Sequence, residues 1–168
     1  PGTSLEKLAI ERGFRRVFKA PADVGGRFSV FTAFGLLPAA LMGINLPKLL
    51  TKGANMASFS GLSIPYAANP PLVLGLILAQ AALNGADKLT FLTDSFAATL
   101  VPWLEQLIAE SSGKEGKGIL PIEGEPVQPI ESYGKDRIFA YMRVDGAFDA
   151  LVQALLEAGY TVLSFQLS

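Results

Sequence analysis

Two polar side chains share one face of a predicted helix over about 96–111. Gln106 and Glu110 are four residues apart, which at about 100° per residue places them together. They flank an apolar arc on its Trp103 side, whereas Glu105 points to the opposite side. The arc consists of Trp103, Leu104, Leu107 and Ile108, with Trp103 as its expected core anchor. We expect partial burial to raise the pKa of Glu110, which suits a general base; a solvated helix end is the alternative.

A second group of interest lies where two glycines and an arginine interrupt a sequence typical of buried core. Gly25 and Gly26 permit positive φ and carry no Cβ, so a ligand can approach the main-chain N–H groups. Arg27 supplies a fixed positive charge for an anion or a developing oxyanion. A helix is predicted directly afterwards, over about 36–42, and its N-terminus adds the positive end of the helix dipole. The pattern predicts an anion site; the alternative is a tight turn with a surface arginine.

These two groups together resemble a known enzyme family. Three parts of the sequence are similar to phosphoglucose isomerases: the segment Gly25–Ser29, the residue Gln106, and the run Glu110 to Pro121 (ESSGKEGKGILP). The likeness is strongest to the bacterial form that is fused behind a transaldolase, and it extends over nearly the whole chain. It implies interconversion of glucose 6-phosphate and fructose 6-phosphate through a cis-enediol, a reaction of glycolysis and gluconeogenesis.

The resemblance also implies roles for individual residues. Glu110 corresponds to the base that moves a proton between C2 and C1 of the sugar, and Arg27 to the group that stabilises the enediolate. Gln106, Gly25 and Gly26 correspond to substrate-binding positions. No cofactor or metal is implied.

One departure from the family pattern concerns ring opening of the sugar. The family places a histidine downstream of the base, and the best match for its position is the segment Gly134-Lys135-Asp136. The chain contains no histidine. Either Asp136 or another group takes over the proton transfer at the ring oxygen, or the open-chain sugar is used directly.

Composition restricts the partners and the compartment. The 168 residues are 50% hydrophobic and 17% charged, with a net charge of −1, so neither nucleic acid nor an anionic membrane is expected as a partner. The longest apolar stretch, Pro70 to Leu83, is shorter than the roughly 20 residues that span a bilayer. The absence of cysteine fits the cytoplasm, and without histidine or cysteine no transition-metal site is expected.

The order of predicted elements indicates an α/β fold. Short apolar runs that alternate with helices predict a three-layer α/β/α domain with a mainly parallel sheet, and ligands in such folds sit beyond the carboxyl ends of the strands. The family's sugar-isomerase (SIS) domain has this flavodoxin-like architecture. Strands are predicted over 14–18, 88–93, 137–144 and 161–166, and helices over 5–12, 36–42, 46–56, 70–84, 96–111 and 147–158. The long connection 113–133 begins with a flexible helix exit.

The chain is expected to be one SIS-type domain over 1–168, a fragment of a longer enzyme. The surplus of apolar residues indicates covered faces. The resemblance implies that the rest of the parent polypeptide, namely a first SIS domain and a C-terminal segment, covers them, and that the whole enzyme is a homodimer acting on a sugar phosphate. The isolated chain is then expected to be inactive. Two alternatives are a non-catalytic, regulatory sugar-phosphate-binding domain and a structural dimerisation unit.

Overall fold

A computed structural model describes residues 2–94 and 97–167. The chain divides into two compact units, residues 1–70 and 71–168. The first unit consists of α1 (Ser4–Glu11), α2 (Ala33–Leu41) and α3 (Leu46–Ser58), with short 3-10 turns at Gly26–Phe28 and Tyr66–Ala68. Side-chain caps begin its helices: Thr32 accepts a hydrogen bond from the Phe34 N–H at 3.3 Å, and Asn45 from the Lys48 N–H at 3.0 Å.

The second unit is built on a four-stranded sheet. Its helices are α4 (Pro70–Leu83), which begins at the unit boundary, α5 (Val101–Ser112) and α6 (Asp149–Glu157). Its strands are β1 (Lys88–Thr93), β2 (Leu120–Ile122), β3 (Arg137–Arg143) and β4 (Thr161–Gln166). They lie in the order β2-β1-β3-β4, and each neighbouring pair is parallel.

The sheet carries helices on both faces, which confirms the predicted three-layer α/β/α architecture. On one face, Leu89, Ile138 and other strand residues pack against Leu78 of α4 and against Leu104 and Ile108 of α5. On the other face, the fully buried Phe139 packs with Leu155 of α6. Among the described residues, no helix is both long enough and apolar enough to cross a bilayer.

Three predicted elements differ from the observed ones. The strand predicted over 14–18 is wrong: these residues are exposed and lie in the first unit, where the described residues form no sheet that they could join. The helix predicted from Phe96 begins at Val101 after a 3-10 turn (Ala98–Leu100), and Phe96 itself is outside the described residues. The connection predicted over 113–133 contains β2, whose three residues are too few for a periodic pattern.

Two neighbouring leucines of α6 test this packing. Leu155 is fully buried, whereas Leu156 is 50% exposed. We expect Leu155→Ala to lower the free energy of unfolding by about 2–5 kcal/mol and Leu156→Ala to change it by less than about 0.5 kcal/mol. Urea unfolding of the chain, followed by circular dichroism, measures both. Equal losses would contradict the assignment of this helix face to the core.

Candidate functional site

The last turns of α5 carry the two polar residues that the sequence singled out. Gln106 Nε2 donates a hydrogen bond to Glu110 Oε1 at 3.1 Å, so the predicted common face is confirmed. Both side chains are exposed. The amide therefore orients one carboxylate oxygen on an open surface of the second unit.

The rotation of α5 about its axis differs from the prediction. Leu104 and Ile108 face the sheet, whereas Trp103 is 42% exposed and is no core anchor. Because Gln106 is about 180° from this buried stripe and Glu110 about 140° from it, both face solvent. The partial burial expected for Glu110 is not found in this chain. Glu105, expected to point away, is the half-buried glutamate of the helix.

The segment after α5 is tightly folded, unlike the flexible exit that was predicted. Lys114 and Lys117 exchange backbone hydrogen bonds of 2.8 and 2.9 Å around the residues Glu115 and Gly116, which have φ of 53° and 75°. A Cβ on Gly118 would lie 2.8 Å from the Gly113 Cα. The chain thus doubles back against the helix end, and only glycine fits at 118.

The arginine of the first unit lies in the 3-10 turn Gly26–Phe28. Arg27 is half-buried, and its guanidinium carbon is 6.0 Å from the centre of the Phe28 ring. Ser29 Oγ donates to the Gly26 carbonyl at 2.7 Å, and Thr32 Oγ1 donates to the Ser29 carbonyl at 2.7 Å. These side-chain hydrogen bonds hold the turn in one shape.

Two details of this turn correct the prediction. Gly25 has a φ of −64°, and Gly26 is not among the glycines with positive φ, so left-handed backbone is not the reason for either glycine. Helix α2 begins at Ala33, three residues before the predicted start at 36, with Thr32 as its N-cap. Its dipole is thus separated from Arg27 by several residues. The backbone at Gly26 borders open space, because a Cβ there would meet nothing within 4 Å.

Asp136, the candidate for ring opening, is part of an ion pair. Lys88 Nζ lies 2.7 Å from Asp136 Oδ2 and 2.9 Å from Asp87 Oδ1. The hydrogen bond from Lys88 lowers the pKa of Asp136, although desolvation opposes this shift. The two carboxylates raise the pKa of Lys88, with the Asp136 hydrogen bond as the larger cause. Asp136 is therefore an ionised acceptor near neutral pH.

The candidate groups of the second unit lie towards the amino edge of the sheet. Asp136 directly precedes β3, and the end of α5 is joined through Ser112 to Ile119, directly before β2. Ligands were expected beyond the opposite, carboxyl edge. A buried carboxylate occupies that edge where β1 and β3 end: Asp94 Oδ2 accepts hydrogen bonds from three successive backbone N–H groups. These belong to Val144, Asp145 and Gly146, at 2.6, 2.8 and 3.3 Å.

Sequence reasoning missed Asp94. Its only signal is a single acidic residue directly after a buried strand. Burial acts to raise the pKa of Asp94, but the three main-chain donors outweigh it and the pKa is lowered. The ionised carboxylate therefore joins the end of β1 to the loop after β3 through Oδ2, while its other oxygen, Oδ1, is buried and makes no hydrogen bond within the described residues. In residues 2–94 and 97–167, no three acidic side chains are grouped to hold a metal ion.

Comparisons with known proteins agree on one family. The sequence model of the phosphoglucose isomerase family matches residues 3–120. Glucose-6-phosphate isomerases of Parabacteroides distasonis and Heliobacterium modesticaldum are 34% and 40% identical over 134 and 126 residues. These matches cover 79% and 70% of this chain but only 30% and 26% of the relatives. The chain thus spans less than a third of the length of the curated relatives it matches.

A solved structure is similar over almost the whole chain. The crystal structure of a hypothetical protein from Thermus thermophilus matches with a TM-score of 0.81 and 23% identity. The match covers 99% of this chain and 49% of that one. At this identity the likeness shows the fold alone.

The hydrogen bonds of Asp94 to three main-chain N–H groups predict that the stability of the fold depends on pH. Because its pKa is lowered in the folded chain, Asp94 stabilises the fold above its unfolded pKa of about 3.9, and this contribution is lost as the pH falls through the folded value. We expect Asp94→Asn to lower the urea midpoint at pH 7, with a difference from wild type that shrinks below about pH 4. Asp23→Asn, at an exposed position, is the control, and its urea midpoint should not differ from that of wild type in this pH-dependent way. If the difference in urea midpoint between Asp94→Asn and wild type stays constant down to pH 2, the stabilising role of the Asp94 charge is contradicted.

The glycines of the first unit give a second test. We expect Gly26→Ala to change the free energy of unfolding by less than about 0.5 kcal/mol, because the added Cβ has open space. Gly35→Ala would place its Cβ 2.1 Å from the Val30 carbonyl oxygen, so we expect a loss of about 1–3 kcal/mol. Thermal and urea unfolding measure both. If Gly26→Ala is as damaging as Gly35→Ala, the described turn is wrong.

Proposed function

Because the chain belongs to the phosphoglucose isomerase family, we propose that it is the second sugar-isomerase domain of a glucose-6-phosphate isomerase, of the bacterial type fused behind a transaldolase. The reaction is the interconversion of glucose 6-phosphate and fructose 6-phosphate through a cis-enediol. The observation that carries the proposal is the Gln106–Glu110 pair, which presents an oriented carboxylate on the exposed face of α5.

In this proposal Glu110 is the base. Its carboxylate takes the proton from C2 of the open-chain aldose and leaves a C1–C2 enediolate with its negative charge on O1. The O2 hydroxyl proton passes to O1 through the enediol, and Glu110 returns its proton to C1 to give the ketose. Gln106 holds Oε1 of Glu110 through its amide and orients the carboxylate. A group that both accepts and returns a proton has to keep its position through both steps, and this amide hydrogen bond favours that.

Arg27 offsets the negative charge that develops on the sugar oxygens in the same reaction. A guanidinium is charged at every relevant pH, so it needs no protonation step to act. By analogy with other oxyanion donors, its removal costs about 3 kcal/mol of transition-state stabilisation. The substrate binds close to the main chain at Gly25 and Gly26, which agrees with the open space beside Gly26.

The Lys88–Asp136 ion pair favours one of the alternatives for ring opening. Protonation of the ring oxygen needs an acid, and Asp136 is held ionised by Lys88. We therefore propose that this chain acts on the open-chain sugar, and that Asp136 in its ionised form organises the amino edge of the sheet. No cofactor or metal takes part in this scheme.

The surface of the first unit supports a partner. Among its described residues only Ala9 and Asn69 are buried, while large apolar side chains such as Phe14, Phe18 and Phe34 are 57–68% exposed. A groove of about 560 Å³ lies between α1, the segment 14–22 and α2. We propose that the remainder of the parent polypeptide, a first SIS domain and a C-terminal segment, covers this surface in a cytoplasmic homodimer. The 168-residue chain alone is then inactive.

A second candidate is a regulatory domain that binds a sugar phosphate without catalysis. The chain has no histidine, and Glu110 is exposed instead of desolvated. Such a domain would bind the sugar and leave its carbon-bound hydrogens in place. The two functions therefore differ in hydrogen exchange at C1 and C2.

The test uses the full-length gene product that carries this sequence, with fructose 6-phosphate in D₂O. We expect turnover and deuterium at C1 or C2 with the wild type, and a loss of both by at least about 10³-fold in Glu110→Gln, because an amide cannot accept the proton. Glu105→Gln, on the same helix, is the matched control and should retain activity. Activity is followed by a coupled assay and the label by NMR.

The outcomes separate the candidates. If Glu110→Gln retains isomerisation and exchange, Glu110 is not the base. If the wild type binds the sugar phosphate but exchanges no hydrogen, the regulatory function replaces the catalytic one. If the 168-residue chain turns over unaided, its proposed dependence on the remaining polypeptide is wrong.

A further inference from the structure

Glu110 stands where an α-helix is least constrained. It lies in the last turn of α5, two residues before Ser112, with which the helix ends. The final carbonyl groups of a helix lack intrahelical partners, and helix ends fray. A base in such a turn needs a restraint from outside the helix to keep a fixed position.

The half-buried Ser112 provides a restraint of this kind. Its Oγ donates a hydrogen bond to the Ile108 carbonyl at 2.7 Å and accepts one from the Ile119 N–H at 3.0 Å. Ile119 directly precedes β2, whose first residue is paired in register with Lys88 of β1. We propose that Ser112 is a positioning residue for Glu110, joining the last turn of α5 to the central sheet through one hydroxyl group. This inference rests on the proposed function of Glu110.

The backbone between the two ends of this link is also held closely. A Cβ on Gly113 would lie 2.8 Å from the Ala109 carbonyl oxygen, and Gly118, with a φ of +154°, packs against Gly113. The paired hydrogen bonds of Lys114 and Lys117 close the loop between them. Ser112 therefore bonds Ile119 across a loop of defined shape.

The chemistry explains why this link matters for rate more than for binding. Glu110 has to reach both C2 and C1 of one bound sugar, and a displacement of about 1 Å in a reacting group can cost about 10²-fold in rate. Hydrogen bonds that hold the sugar elsewhere are unaffected by the position of this turn. Loss of the Ser112 hydroxyl is therefore expected to lower kcat and leave KM nearly unchanged.

The test compares three variants of the full-length gene product. In Ser112→Ala we expect kcat to fall about 10- to 100-fold with KM within about twofold of wild type. Ser112→Thr keeps the hydroxyl and should recover most of the rate. Ser58→Ala is the matched control: Ser58 ends α3 and donates to the Asn55 carbonyl at 2.6 Å within its own helix, so kcat should not change.

A second readout does not depend on catalysis. Amide hydrogen exchange at Ile119 should accelerate at least about tenfold in Ser112→Ala and remain slow in Ser112→Thr, while the amide of the fully buried Phe139 in β3 stays protected and shows that the fold is intact. Unchanged kcat in Ser112→Ala, with Glu110→Gln inactive, would overturn the positioning role and leave the proposed function standing. If kcat falls only as far as Phe139 also loses its protection from exchange, the positioning role is overturned as well, since the variant would then be generally unfolded. Retained activity in Glu110→Gln would instead reject the proposed function.

Discussion

The second unit depends on the parallel pairing of β1 with β3. The two strands share six residue pairs, and side chains pack against both faces of the sheet that they form. Parallel strands need crossover connections, and the one from β1 to β2 is made by α5. The helix must therefore run back along the sheet, from the carboxyl edge to the amino edge. This requirement carries Glu110, near the end of α5, to the amino edge, where Asp136 also stands.

The two edges of the sheet use their charges differently. At the carboxyl edge, Asp94 is only 2% exposed, and its Oδ2 accepts hydrogen bonds from three main-chain N–H groups, which joins the end of β1 to the loop after β3. At the amino edge, Arg137 makes a bidentate contact with Glu125 and also donates to Thr90 at 2.8 Å, which fastens the connection after β2 to the central strands. The carboxyl edge thus holds its loop through an internal carboxylate, whereas the amino edge carries the candidate base.

Agreement between sequence and structure is best where the pattern is local. The predicted bounds of β1 and β4 are those observed, and the helical spacing of Gln106 and Glu110 predicted the common face on which the structure places their hydrogen bond. Leu104 and Ile108 of the predicted apolar arc of α5 pack on the sheet, but Trp103, the expected core anchor at one side of the arc, is exposed. A sequence shows which residues are apolar and cannot show which of them the sheet covers, because that depends on how the helix packs. The same reason explains the strand predicted over 14–18, whose apolar residues have no sheet to join in the first unit.

The sequence by itself determined the fold class, the family and the residue types able to move a proton or hold a negative charge, since composition, periodicity and motif order are properties of the chain. Only the tertiary structure decided that Asp94 joins the end of β1 to the loop after β3, that Lys88 keeps Asp136 ionised, and that Ser112 joins the end of α5 to β2. Each of these is a contact between residues far apart in the chain or across a folded loop. Such contacts follow from the register of the strands and the rotation of the helices, which are set only when the layers pack together.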